Sequence, residues 1–158
     1  MLYASLKAVH LLAVVVWVGG MAFALYCLHP AAKLLEPAQR VPLMHAVLRR
    51  FLAVVGIAAA VIFVSGAIMI GVAWSAAARA GIAFNMPLDW YAMVAIFFVM
   101  LAVYLHVRLP LFARVGRALE AGTWPVAGAA LNAIRWEVAV NLVLGVFVVV
   151  LVRLGAAA

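Results

Sequence analysis

Residues 7–30 read KAVHLLAVVVWVGGMAFALYCLHP. From Ala8 to Leu28 the run is apolar except for one imidazole, His10. A helix needs about 20 apolar residues to cross a bilayer. A secretory signal has an apolar stretch of only about 7–15 residues. The segment is therefore expected to be a transmembrane helix rather than a cleaved leader. Lipid solvates an imidazole poorly, so the placement of His10 asks for a partner.

The rest of the chain agrees with a membrane setting. Of 158 residues, 72% are hydrophobic and 9% are charged, with a mean hydropathy of +1.32. Soluble domains run at roughly 45–50% apolar and about 25% charged. So few charges cannot build a water-facing surface. The net charge of +7 lacks a groove-sized basic patch interleaved with aromatics, so nucleic acid is not an expected partner. Lys and Arg are read instead as fixing membrane orientation. The single cysteine, Cys27, excludes an intrachain disulfide and reads as a small packing residue.

Four apolar segments stand out, at about 6–28, 51–74, 90–108 and 136–154. They predict an all-α fold: one transmembrane domain over 1–158, an antiparallel four-helix bundle. The connections 29–50, 75–89 and 109–135 hold prolines and most of the charges. Lys33, Arg40, Arg49, Arg50, Arg108, Arg114, Arg117 and Arg135 fall on one side, and Lys7, Arg79 and Arg153 on the other. The positive-inside rule then places the first and third connections in the cytoplasm of a bacterial-type inner membrane, with both termini on the outer, periplasmic side.

Gly20 and Ala24, Gly56 and Ala60, and Ala67 and Gly71 are small pairs spaced by four, a spacing that lets membrane helices approach closely. Trp17, Trp74, Trp90, Tyr91 and Trp136 are expected mostly near the interfaces.

The polar groups within the spans are His10, Ser65, His106, Glu137 and Asn141, with His29 and His45 at the inner ends. By depth, His10 lies one turn below the outer surface, level with Met69 and Met93 and far from His106. Depth read this way is good to about one turn, roughly 5 Å. Imidazole and thioether are axial ligands of haem and also bind copper. A helix–helix hydrogen bond or a water would satisfy His10 as well. Glu137 and Asn141 share a helix face, and a structural pairing of Glu137 with Arg108 is expected over a proton relay. Zinc, phosphate-loop and nucleophile-elbow motifs are absent.

The pattern Lys7-Ala8-Val9-His10, an apolar run, Trp17 and Gly19-Gly20 resembles the first helix of the CopD-type copper-resistance domain and of the HemJ type of protoporphyrinogen oxidase, a four-helix haem b protein. LDWYAMVAIFF with YLHVRL resembles the third helix of that group, and AIRWEVAVNLVLG the start of the fourth. The resemblance implies that His10 contacts haem and that His106 is a second family-like position. The oxidase type has a lysine early in helix three where this chain has Met93. That departure moves the expectation towards a small CopD-like protein.

On this reading the residues expected to contact a cofactor are His10, Trp17, Met93, His106, Arg108 and Arg135. Those expected to contact a metal are His10, His45, Met69, Met93 and His106. The leading expectation is a haem b protein with a redox or electron-transfer role. The alternatives are copper binding or transport at a His10, Met69 and Met93 site, and an accessory subunit without a cofactor. Expected partners are the lipid bilayer, a membrane quinone or redox protein, and a second copy of the chain.

Overall fold

The computed structural model describes residues 1–155. Four long helices follow one another: α1 (Leu2–Ala32), α2 (Pro37–Arg79) and α3 (Leu88–Glu120), then α4 (Trp124–Gly155). No strand occurs among the described residues. Each helix is long and apolar enough to cross a membrane, and the fold is an all-α four-helix bundle. In lipid every backbone N–H and C=O must find its partner within the chain, and a helix does this locally. The protein is a multi-pass membrane protein whose outward apolar faces, such as Leu12, Ile57, Val143 and Phe147, are suited to lipid.

The helices outrun the apolar segments. Only residues 33–36, 80–87 and 121–123 are non-helical between them. The prolines that look like breakers in the sequence are absorbed. Pro37 opens α2 at its first turn, where the missing N–H costs nothing. Pro30 follows a π turn, Ala24–Leu28, in which the His29 N–H reaches back five residues to the Ala24 carbonyl. Pro110 lies inside a second π turn, Val107–Leu111. A proline ring collides with the carbonyl four residues earlier, and a widened turn makes room for it. Pro42 remains within α2 on an exposed face.

Glycine ends two helices. Gly81 (φ +69°) and Gly122 (φ +64°) take the left-handed conformation after α2 and α3. The Ile82 N–H then bonds the Ala77 carbonyl at 3.1 Å, and the Thr123 N–H the Ala118 carbonyl at 2.9 Å. Both ends are Schellman caps that satisfy last-turn carbonyls.

The 43 residues of α2 extend about 64 Å at 1.5 Å per residue, about twice the ~30 Å hydrocarbon thickness. The surplus gathers at one end. There the start of α2, the end of α3 and the start of α4 close a small core of Val41, Ala118 and Ala127. The eight basic residues of the first and third connections cluster towards this end, called here the basic end. The main core runs through the bundle and includes Trp17, Met21, Leu52, Val55, Val107 and Ile134.

Two of the three small pairs do what their spacing predicts. A Cβ on Gly20 would sit 2.8 Å from the Phe51 ring, and one on Gly56 would sit 2.7 Å from the Tyr104 hydroxyl. A Cβ on Gly71 would meet no atom of another element within 4 Å, so the third pair does not bring helices together there. Trp17 is also not interfacial. It is 3% exposed and meets the edges of Phe97 and Tyr104, with ring centroids 6.3 and 6.4 Å away.

Candidate functional site

His10 is buried on α1, and its Nδ1 lies 2.9 Å from Ser65 Oγ on α2. The serine fixes the tautomer. A hydroxyl has one hydrogen, and Ser65 donates it back to the Val61 or Ile62 carbonyl of its own helix, a habit of serine inside helices. Its oxygen therefore faces His10 as an acceptor, and Nδ1 carries the ring hydrogen. Nε2 is left with a lone pair and makes no hydrogen bond among the described residues. Gly66 lets the ring lie close to α2: a Cβ there would be 3.4 Å from His10 Cε1.

The imidazole faces open space. Two cavities of about 140 Å³ and 120 Å³ meet at His10, Ile62, Met93 and Phe97, which line both. They form one cleft, because the first part of α3 leans on α4 and reaches α1 and α2 mainly through side chains. Phe97 spans the gap, stacking on Phe63 of α2 at 6.2 Å and meeting Trp17 of α1 edge-on. The walls are apolar. Met93 and Met100 contribute thioethers, and Arg153 stands at one side of the larger cavity. The cleft thus brings one oriented imidazole, two thioethers and a guanidinium together between apolar walls.

The expected site residues do not converge on one place. His10, Trp17 and Met93 line the cleft. Met69 is buried on α2 one turn from Ser65 and lines neither cavity, so the partner of His10 sits one turn away from the expected depth. His106 lies 13 residues along α3 from Met93, about 20 Å at helical rise, and His10 and His106 cannot share one metal ion. His45 stacks on Phe112 with centroids 4.7 Å apart and planes at 4°.

Glu137 pairs with His106, not with Arg108. His106 Nδ1 and Glu137 Oε1 are 2.7 Å apart. Arg108 is instead drawn over the Phe112 ring at 5.7 Å. Asn141 donates to the Met100 carbonyl at 3.1 Å and ties α4 to α3. Arg135 donates to Asn132 Oδ1 at 3.0 Å and lies over Trp136, at the basic end and away from the cleft.

Ser65 was legible as a polar group in a span, but its bond to His10 was not. Arg153 and Phe97 carry no sequence signal of a site. Among the described residues no three His, Cys, Asp or Glu side chains converge in a metal-holding group. No known protein family, curated protein or solved structure matches the chain.

Proposed function

We propose that the protein is a haem b-binding membrane protein with a redox or electron-transfer role, on the plan of the CopD and HemJ types, with His10 as an axial ligand. The observation that carries this reading is the His10–Ser65 pair at 2.9 Å. A hydrogen bond to one ring nitrogen is how proteins orient a metal-binding imidazole and raise its basicity. Here it leaves Nε2 as the one strong donor in an apolar slot.

The donor set favours haem over a bare ion. Haem brings four equatorial nitrogens and asks the protein for one or two axial ligands. A bare copper ion needs several protein donors, and beside the single imidazole the cleft offers only the thioethers of Met93 and Met100. Met93 would be the thioether available beside His10, and Arg153 would pair with a propionate. Bound haem supplies one-electron chemistry, while the chain fixes the axial imidazole, excludes water and sets the polarity of the slot. With Met93 in place of the oxidase lysine, electron transfer is favoured over porphyrinogen oxidation. The basic end faces the cytoplasm by the positive-inside rule, so the cleft lies in the outer half of an inner-membrane protein, within reach of a membrane quinone or redox protein.

The test is the absorption spectrum of the purified protein with elemental analysis. A Soret band that sharpens on reduction is expected, and His10→Ala should lose most of it while keeping its helical circular dichroism. A colourless wild type without iron refutes the proposal. Copper in that preparation would assign His10 to a thioether-supported copper site.

A further inference from the structure

At the basic end, opposite the cleft, a second cavity of about 200 Å³ lies between three helices. His29 and Lys33 reach it from the end of α1, Arg40 from the start of α2, and Asn132 and Arg135 from α4. No acidic residue lines it. The single salt bridge among the described residues is His106–Glu137, so Lys33, Arg40 and Arg135 face one space with no carboxylate to offset them. Like charges held together repel, and Glu36, exposed between Lys33 and Arg40 in the chain, makes no salt bridge to either among the described residues.

Arg135 is prepared for a ligand. Asn132 accepts one of its terminal N–H groups at 3.0 Å, Trp136 holds its face at 5.3 Å, and its Nε is buried without a partner. A guanidinium locked this way can offer a planar fork to an anion. With the ammonium of Lys33, the guanidinium of Arg40 and the ring of His29, donors arrive from three helices. A carboxylate presents two oxygens in a plane. A phosphate presents oxygens in several directions and suits donors converging from several sides.

We infer that this cavity is a binding site for a phosphate group, either the headgroup of an anionic lipid or a free phosphate. Its position favours both sources. His29 and Arg40 are half-buried and Lys33 is exposed, which places the cavity where bundle gives way to water. Basic pockets between membrane helices bind anionic headgroups at that level. The inference does not depend on what the His10 cleft binds.

The experiment uses the full chain in nanodiscs at constant ionic strength, read by thermal unfolding and native mass spectrometry. Inorganic phosphate is titrated into phosphatidylcholine discs, and these are compared with discs containing phosphatidylglycerol. Stabilisation by inorganic phosphate in phosphatidylcholine identifies a free-phosphate site. Stabilisation and co-purification of phosphatidylglycerol, without a response to phosphate, identifies a lipid site. Arg40→Gln and Arg135→Gln should each weaken the responding probe about tenfold or more, since each removes a charge-assisted hydrogen bond. Arg114→Gln, exposed and outside the cavity, should leave it unchanged. In phosphatidylcholine without phosphate the two variants should be no less stable than wild type, which separates lost binding from lost folding. If neither probe stabilises wild type, or if Arg114→Gln weakens binding as much as Arg135→Gln, the site does not exist.

Discussion

Replacing Ser65 by alanine isolates what one hydroxyl does for His10. The substitution deletes the oxygen 2.9 Å from Nδ1 and leaves the ring only the Ile62 backbone carbonyl as a neighbouring acceptor. In soluble cores an orphaned donor costs about 1–3 kcal/mol, while hydrogen bonds between membrane helices average about 0.6 kcal/mol. Ser65 is 4% exposed and the adjoining cavities are apolar, so a cost of about 1 kcal/mol to the empty protein is expected. The larger effect falls on the cofactor. Without its acceptor the ring can turn and exchange tautomers, and losing such an outer partner typically costs 10–100-fold in metal affinity. Haem titration into the purified apoprotein should show that weakening in Ser65→Ala. Ser65→Thr, which keeps the hydroxyl, should recover much of it. The reduction potential should shift in Ser65→Ala as well, which a merely structural role would not require. Unchanged affinity and potential in Ser65→Ala would refute the idea that the serine sets the ligand nitrogen.

Met93 lines both cavities, whereas Met69 lines neither. Met93→His should therefore retain haem but lower its reduction potential in a redox titration, because axial thioether raises the potential, and Met69→His should leave it unchanged. Gly56→Ala places a Cβ 2.7 Å from the Tyr104 hydroxyl and displaces its 2.9 Å bond to the Leu52 carbonyl. Thermal unfolding in detergent should report a loss of about 1–3 kcal/mol, the usual cost of overpacking, while Gly71→Ala should be neutral or stabilising. A C-terminal fusion to a reporter active only after export should be active, and activity only in a cytoplasmic reporter would reverse the orientation.

Hydropathy made the four spans legible, since nothing but helix tolerates so long an apolar run in lipid. It could not reveal where the helices end. Residues 37–50, 112–120 and 124–135 are polar enough to look like loop, and Pro42 and Pro110 look like breaks. They are helical because they pack on one another around Val115, Ala118 and Ala127, a tertiary effect with no signal in a hydropathy window. That His10 needs a partner followed from its type and depth. Its partner did not, because one turn of error in depth separates Met69 from Ser65, and the rotation of α2 about its axis is set by packing. Pairing of Glu137 with Arg108 was reasonable on charge. The structure gives the carboxylate to His106 because Arg108 turns to the Phe112 ring.

The π turn at Ala24–Leu28 also acts as a phase shifter along α1. One extra residue in a turn rotates everything beyond it by about 100° relative to an uninterrupted α-helix. The bundle-facing stripe before it, through His10, Ala13, Trp17 and Met21, is thereby uncoupled in angle from His29 and Lys33 beyond it. A chain one residue shorter in this turn would still span the bilayer and still present His10 to the cleft. Because the π turn absorbs the extra residue, that shorter chain would close as a plain α turn and keep His29 and Lys33 facing Arg40 and Arg135, whereas the same chain closed as α without the deletion would swing them about 100° away. The π turn thus sets the angle between the His10 face and the His29–Lys33 face of one helix.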